Sequence, residues 1–186
     1  MSLNEGTKLP ENYTVSFNRT IPPNHPSIGT RTKNRGEVQA EVKLAVHPGD
    51  NGVIVISYPG VNGHIDGYNN KYGTMADHVR DSGVGAVVRT DNMYNPDLIY
   101  EESVQDHLRA VIDYALAHSV EIANVEPGEV RLHLMGFSAG AGAIAAIAHE
   151  YPQVSNILLV APAGDAGPRA VIEGLNRFTG ATDIGG

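Results

Sequence analysis

Four continuous apolar runs, spaced by segments with helical periodicity, constrain this chain more than any other feature. Residues 53–58 (Val-Ile-Val-Ile-Ser-Tyr), 84–88, 130–135 and 157–161 have strand length and lack polar alternation. Such runs are expected of strands covered on both faces. Between the first two runs, Tyr68, Tyr72, Met75, Ala76 and Val79 recur at helical spacing and close at Gly83. Val104, Leu108, Val111, Ile112 and Ala115 repeat that spacing before the third run. A Gly/Ala-rich helix reaching about Glu150 follows the third, and residues 168–178 are expected to form one more. Buried strands alternating with amphipathic helices make βαβ units, so the predicted class is α/β: a mostly parallel sheet flanked by helices in three layers.

Upstream of this pattern, residues 37–46 alternate. Val38, Ala40, Val42, Leu44 and Val46 share one face, and Glu37, Gln39, Glu41 and Lys43 the other. That predicts a half-buried strand near a sheet edge, turning out through His47-Pro48-Gly49. Residues 1–36 are rich in Pro, Asn, Thr and Gly, and only 13–17 resemble a strand. The expected organisation is an irregular segment with one edge strand over 1–36, then a core over 37–186. At 186 residues this is a single domain overall.

Composition narrows the function classes. The formal charge is −8 and no basic run appears, which argues against nucleic acid and against anionic membranes as partners. Without cysteine there is no disulfide, thiolate metal site or Cys nucleophile. The polar amino terminus has no signal-peptide core, and the longest apolar stretch, 139–148, is half of what spans a bilayer. A soluble, cytoplasmic protein is expected.

Chemistry is concentrated in Gly136-Phe137-Ser138-Ala139-Gly140. With 21 glycines in the chain the string alone is weak, but its position is informative. Ser138 follows a buried strand and opens a helix, where a sharp turn would project Oγ above the sheet as a nucleophile. Gly136 and Gly140 are expected to be needed because side chains there would collide. The helix start offers the Ala139 N–H to a developing oxyanion. A second donor should come from the loop after the first buried strand, Tyr58-Pro59-Gly60-Val61-Asn62-Gly63-His64, whose glycines permit close backbone approach.

With these segments the chain resembles the α/β-hydrolase superfamily, in a serine esterase-like form, over about residues 37–165. Residues 136–140 match the family's nucleophile elbow, and Pro59-Gly60-Val61 stands where the family carries a His-Gly-X oxyanion loop. The resemblance implies a serine hydrolase acting on an ester, thioester or related acyl bond of a small-molecule substrate. Ser138 would form the acyl-enzyme, the N–H groups of Val61 and Ala139 would hold the oxyanion, and no metal or organic cofactor would be needed.

The base and acid are less legible. The family's order is Ser, acid, His, and the histidine after Ser138 is His149, eleven positions along the same helix. At helical rise it stands roughly 16 Å away and cannot be the base. Asp165 follows the fourth run, where some superfamily members carry their acid, and reads equally as the cap of the helix near residue 168. The resemblance thus implies a fold incomplete at the C-terminus, with two further strands and the catalytic His expected beyond Gly186. A sheet edge left open in this way would favour a homo-oligomer. His64 lies in the oxyanion-loop region, on the side from which a base does not usually approach. Asp66 is expected to cap the next helix. Asp91 and Asn92 end the second run, placed to line the cleft or simply to turn the chain. His133 is expected to be a hydrogen-bonded core residue.

Two other readings remain open. A non-catalytic α/β-hydrolase-like binding protein would keep the elbow without the histidine. A dinucleotide module is suggested by Gly140-Ala141-Gly142-Ala143-Ile144-Ala145, but that fingerprint should start where the strand ends, at Gly136.

Overall fold

A computed structural model of the chain describes residues 12–21, 36–92 and 100–161. Because Val53, Ile54, Val55 and Ile56 have no polar face, they can only lie inside a sheet: β3 (Val53–Tyr58) and β4 (Ala86–Thr90) are buried along their whole length. They are flanked by β1 (Asn12–Ile21), β2 (Gly36–His47), β5 (Arg131–Phe137) and β6 (Val154–Val160). The strands pair in the order β1-β2-β4-β3-β5-β6. The β4-β3-β5-β6 portion is parallel, and β2 and β1 join it antiparallel.

The pleat sends successive side chains to opposite faces, so β3 is divided between two helix layers. Ile54, Ile56 and Tyr58, with Leu132 and Leu134 of β5, pack with the layer of α2 (Tyr100–Ala117), α3 (Ser119–Ala123) and α4 (Ala139–Ile147). Val53 and Val55, with Val87, face Ala76 and Val79 of α1 (Lys71–Asp81) instead. Each fully buried Ile, Leu or Val contributes about 1.5–3 kcal/mol of burial free energy, which makes this centre the main source of cohesion. The buried hydroxyl of Tyr58 donates to the Val104 carbonyl (2.9 Å), tying the end of β3 to α2. A forked Arg109–Glu150 pair (2.7 and 2.8 Å) joins α2 to the 148–150 turn after α4.

Two local expectations are corrected. The helix expected from Tyr68 begins as α at Lys71, because Asn69 and Asn70 take positive φ (52° and 56°) and residues 68–70 form a 3₁₀ turn. Tyr68 is left exposed. The fourth apolar run was expected to be covered on both faces, yet Ile157 and Leu158 of β6 are 48% and 56% exposed. Among the described residues β6 pairs with β5 alone, and α1 lies over β4 rather than over it. A groove of about 340 Å³ between α1 and β6 is lined by Val79, Val84, His133, Ile157 and Leu158. Among the described residues no helix is long and apolar enough to cross a membrane.

Candidate active site

The junction of β5 and α4 is sharply strained. Ser138 holds φ 53° and ψ −120°, a conformation that residues with a side chain rarely adopt. Its surroundings leave little choice. The Ser138 N–H donates to the Val160 carbonyl (3.0 Å), which ties the turn to the end of β6, and its own carbonyl accepts from Ala141 N–H (3.0 Å). A Cβ on Gly136 would stand 2.7 Å from Ala141 Cα and 2.8 Å from Gly140 O. A Cβ on Gly140 would run into the carbonyl oxygen of Pro59 and stand 2.7 Å from that of Tyr58. Both positions therefore exclude any side chain. Ala139, the first residue of α4, carries one of the N–H groups that a helix leaves without an intrahelical acceptor.

Tyr58 of β3 is paired with Gly136 of β5, so the loop leaving β3 arrives beside the elbow. Contact is close enough that a Cβ on Gly60 would stand 3.0 Å from Ser138 Cβ and 3.6 Å from its Oγ. The loop folds into a tight turn, Gly63 N–H donating to the Gly60 carbonyl (2.9 Å). Together loop and elbow wall a cleft of about 610 Å³, bordered by Val61, His64, Lys71, Tyr72, Phe137 and Ser138 among others. The rings of Tyr72 and Phe137 meet at 5.1 Å and form one side of it. An exposed hydroxyl, a helix amino terminus and a glycine-lined loop thus converge on one open space. That combination suits attack on a carbonyl whose oxygen needs N–H donors.

No protein-family profile matches the chain, and no curated protein matches it in sequence. Solved structures do. The α/β hydrolase GrgF from a Penicillium species superposes with a TM-score of 0.55 at 16% identity, over 92% of this chain and 53% of that one. An α/β serine hydrolase homologue from Coxiella burnetii gives 0.50 at 20% identity, over 68% and 60%. A dienelactone hydrolase from Anabaena variabilis gives 0.51 at 17% identity, over 86% and 68%. The fold is that of the α/β hydrolases. The chain spans little more than half the length of the first two of these structures.

On this α/β-hydrolase fold, the elbow and the 59–64 loop are brought together: Ala139 follows Ser138 at the start of α4, and Val61 borders the same cleft as Ser138. Asp165 lies outside the described residues, as does the helix expected over 168–178. His149 sits in the turn beyond α4. His64, at the end of the 59–64 loop, borders the cleft. His133 is only half-buried and accepts from Asn156 Nδ2 at its Nε2 (2.9 Å). Among the described residues no group of three or more His, Asp or Glu side chains is placed to hold a metal.

The Asp66 side chain does not cap a helix, although its backbone carbonyl accepts from the Tyr72 N–H in the first turn of α1 (3.0 Å). Its carboxylate pairs with Arg89 Nη1 (2.8 Å), and that nitrogen also donates to the Ile65 carbonyl (2.9 Å), anchoring residues 65–66 to β4. Arg89 is mostly buried and its Nε donates to His47 Nε2 (3.0 Å), while His47 Nδ1 faces Asp77 (3.2 Å). Sequence reasoning missed this network. An Arg inside an otherwise apolar strand run was its signal, since a buried guanidinium requires partners. Burial pushes the Asp91 carboxyl up, partly offset by the Lys43 N–H that it accepts (3.2 Å).

His47 is held below its ordinary value, first by burial and then by the Arg89 charge, with Asp77 acting in the opposite direction. The folded state therefore binds this proton less readily than the unfolded state does. The stabilisation is complete above the unfolded value of about 6.5 and is lost as pH falls from there toward the lowered folded value. Replacing His47 with Gln is expected to flatten the loss of urea stability between pH 7.5 and 5. His133, also held low by burial, titrates in both proteins and cancels in the comparison. Equal slopes for the two proteins would contradict this account.

Proposed function

We propose that this protein is a serine hydrolase that cleaves an ester, thioester or related acyl bond, with Ser138 as the nucleophile. The observation that carries the reading is the backbone of Ser138, held at φ 53° with Gly60 packed against its Cβ. Strain of this kind costs of order 1–3 kcal/mol and persists where the position has work to perform. The names of the structural neighbours, which include a dienelactone hydrolase, agree with such chemistry.

In this reading Ser138 Oγ attacks the carbonyl carbon, and its proton passes to a general base. The carbonyl oxygen gains negative charge and is held by the N–H groups of Val61 and Ala139, each such donor being worth about 10²–10³ in kcat. Collapse expels the alcohol or thiol, reprotonated by the same base, and leaves the acyl group on Oγ. Water then adds by the reverse sequence and frees the acid. The cleft bordered by Tyr72 and Phe137 takes the small acyl substrate, and no metal or organic cofactor enters the scheme.

A fluorophosphonate probe tests the proposal, since Oγ attack on phosphorus with loss of fluoride leaves a stable covalent adduct. Wild-type protein is expected to gain the probe's mass at Ser138, and Ser138→Ala to gain nothing. An unlabelled wild type, with intact secondary structure, would favour the other reading of this fold, a binding protein that keeps the elbow without the chemistry.

A further inference from the structure

We infer that Asn92 is the positioning residue of the oxyanion loop, an assignment that rests on the hydrolase reading. Asn92 lies two residues beyond β4 and is 1% exposed. It grips both ends of the turn that leaves β3. Its side-chain Nδ2 donates to the Pro59 carbonyl (3.1 Å), and its backbone N–H donates to the Gly63 carbonyl (2.9 Å), forming an isolated antiparallel bridge. Between those points Gly63 N–H closes onto the Gly60 carbonyl (2.9 Å).

The first bond has the greater consequence. The Pro59 carbonyl is wedged between Asn92 Nδ2 and the Cα of Gly140, where no side chain fits. Fixing that carbonyl fixes the plane of the peptide joining Pro59 to Gly60, and with it the path of the chain into the N–H of Val61. The donor is thus aimed before substrate arrives, which is the arrangement that gives oxyanion stabilisation its strength. A loop restrained by glycines alone would lose that aim, because glycine leaves the backbone freest.

Asparagine suits this place because it supplies a neutral donor. Leucine keeps the volume and removes the donor. Aspartate sets a carboxylate against the Pro59 carbonyl, two acceptors in contact, and regains a donor only when protonated. The experiment compares wild type, Asn92→Leu and Asn92→Asp by amide hydrogen exchange over residues 59–64 and by turnover of p-nitrophenyl acetate. Exchange at Gly63 is expected to quicken at least tenfold in both variants near neutral pH, with the β3 and β5 amides unchanged. We expect kcat to fall by about 10- to 100-fold while KM stays within about twofold, as for a misaimed catalytic group. The ratio of Asn92→Asp to wild-type kcat should climb as pH is lowered, and the Asn92→Leu ratio should stay flat.

Wild-type exchange at Gly63 in both variants would overturn the assignment, and so would a loss confined to KM or to thermal stability. A wild type that neither takes up fluorophosphonate nor turns over the ester would refute the hydrolase reading instead. The exchange comparison would then still decide whether Asn92 holds the loop.

Discussion

Replacing Gly140 with alanine is expected to abolish fluorophosphonate capture at Ser138 and to lower the unfolding free energy by about 3 kcal/mol or more. The added methyl would collide with the Pro59 carbonyl oxygen and stand 2.7 Å from that of Tyr58, both backbone atoms with no rotamer to yield. Relief requires α4 to move off the sheet or the 59–63 loop to move off the elbow. In the proposed mechanism either movement would shift Oγ relative to the N–H groups of Val61 and Ala139, and a displacement of 1 Å is enough to cost about 10²-fold in rate. Gly128→Ala provides the control, since nothing lies within 4 Å of the methyl it would add. Urea titration and probe labelling of the two variants settle the matter. If Gly140→Ala were as stable and as reactive as the control, the close approach of loop and elbow would not exist in solution.

Ser138→Gly is expected to give the opposite combination, a protein that is more stable and wholly inert to the probe. Glycine takes φ 53°, ψ −120° without the penalty a Cβ imposes, so strain of about 1–3 kcal/mol is released. The freer unfolded chain returns about 0.5–1 kcal/mol of that. A net gain near 1 kcal/mol should raise the melting temperature by about 2–4 °C in a protein of this size. Ser138→Ala retains the Cβ and should show no such gain. Identical melting temperatures for the Gly and Ala variants would mean that the elbow stores no strain.

The parallel part of the sheet was legible because strands covered on both faces must be apolar throughout, and β3 at 53–58 is the clearest instance. The elbow was legible for a related reason. Small residues at 136 and 140 have meaning only where a strand becomes a helix, and the apolar run before them supplied that context. Legibility failed where partners are distant in sequence. Asn92 reaches Pro59 across 33 positions and Arg89 reaches His47 across 42, and no local periodicity encodes either contact. It also failed for β6, whose apolar residues read like those of β3. Composition reports what a strand can tolerate on its faces, and its neighbours in the sheet decide how far it is covered.

The order of the strands has a consequence for how such a site can change. From β3 the chain winds through α1 to β4 on one side, then returns through α2 to β5 on the other. The loops leaving β3 and β5 therefore depart toward opposite layers, and the sheet opens a crevice between them of its own accord. The cleft beside Ser138 is a product of this winding direction, furnished afterwards by Gly60, Val61 and His64. New ligand preferences can consequently arise by redecorating the two loop exits, while the strands beneath keep their side chains and the hollow stays where the topology put it.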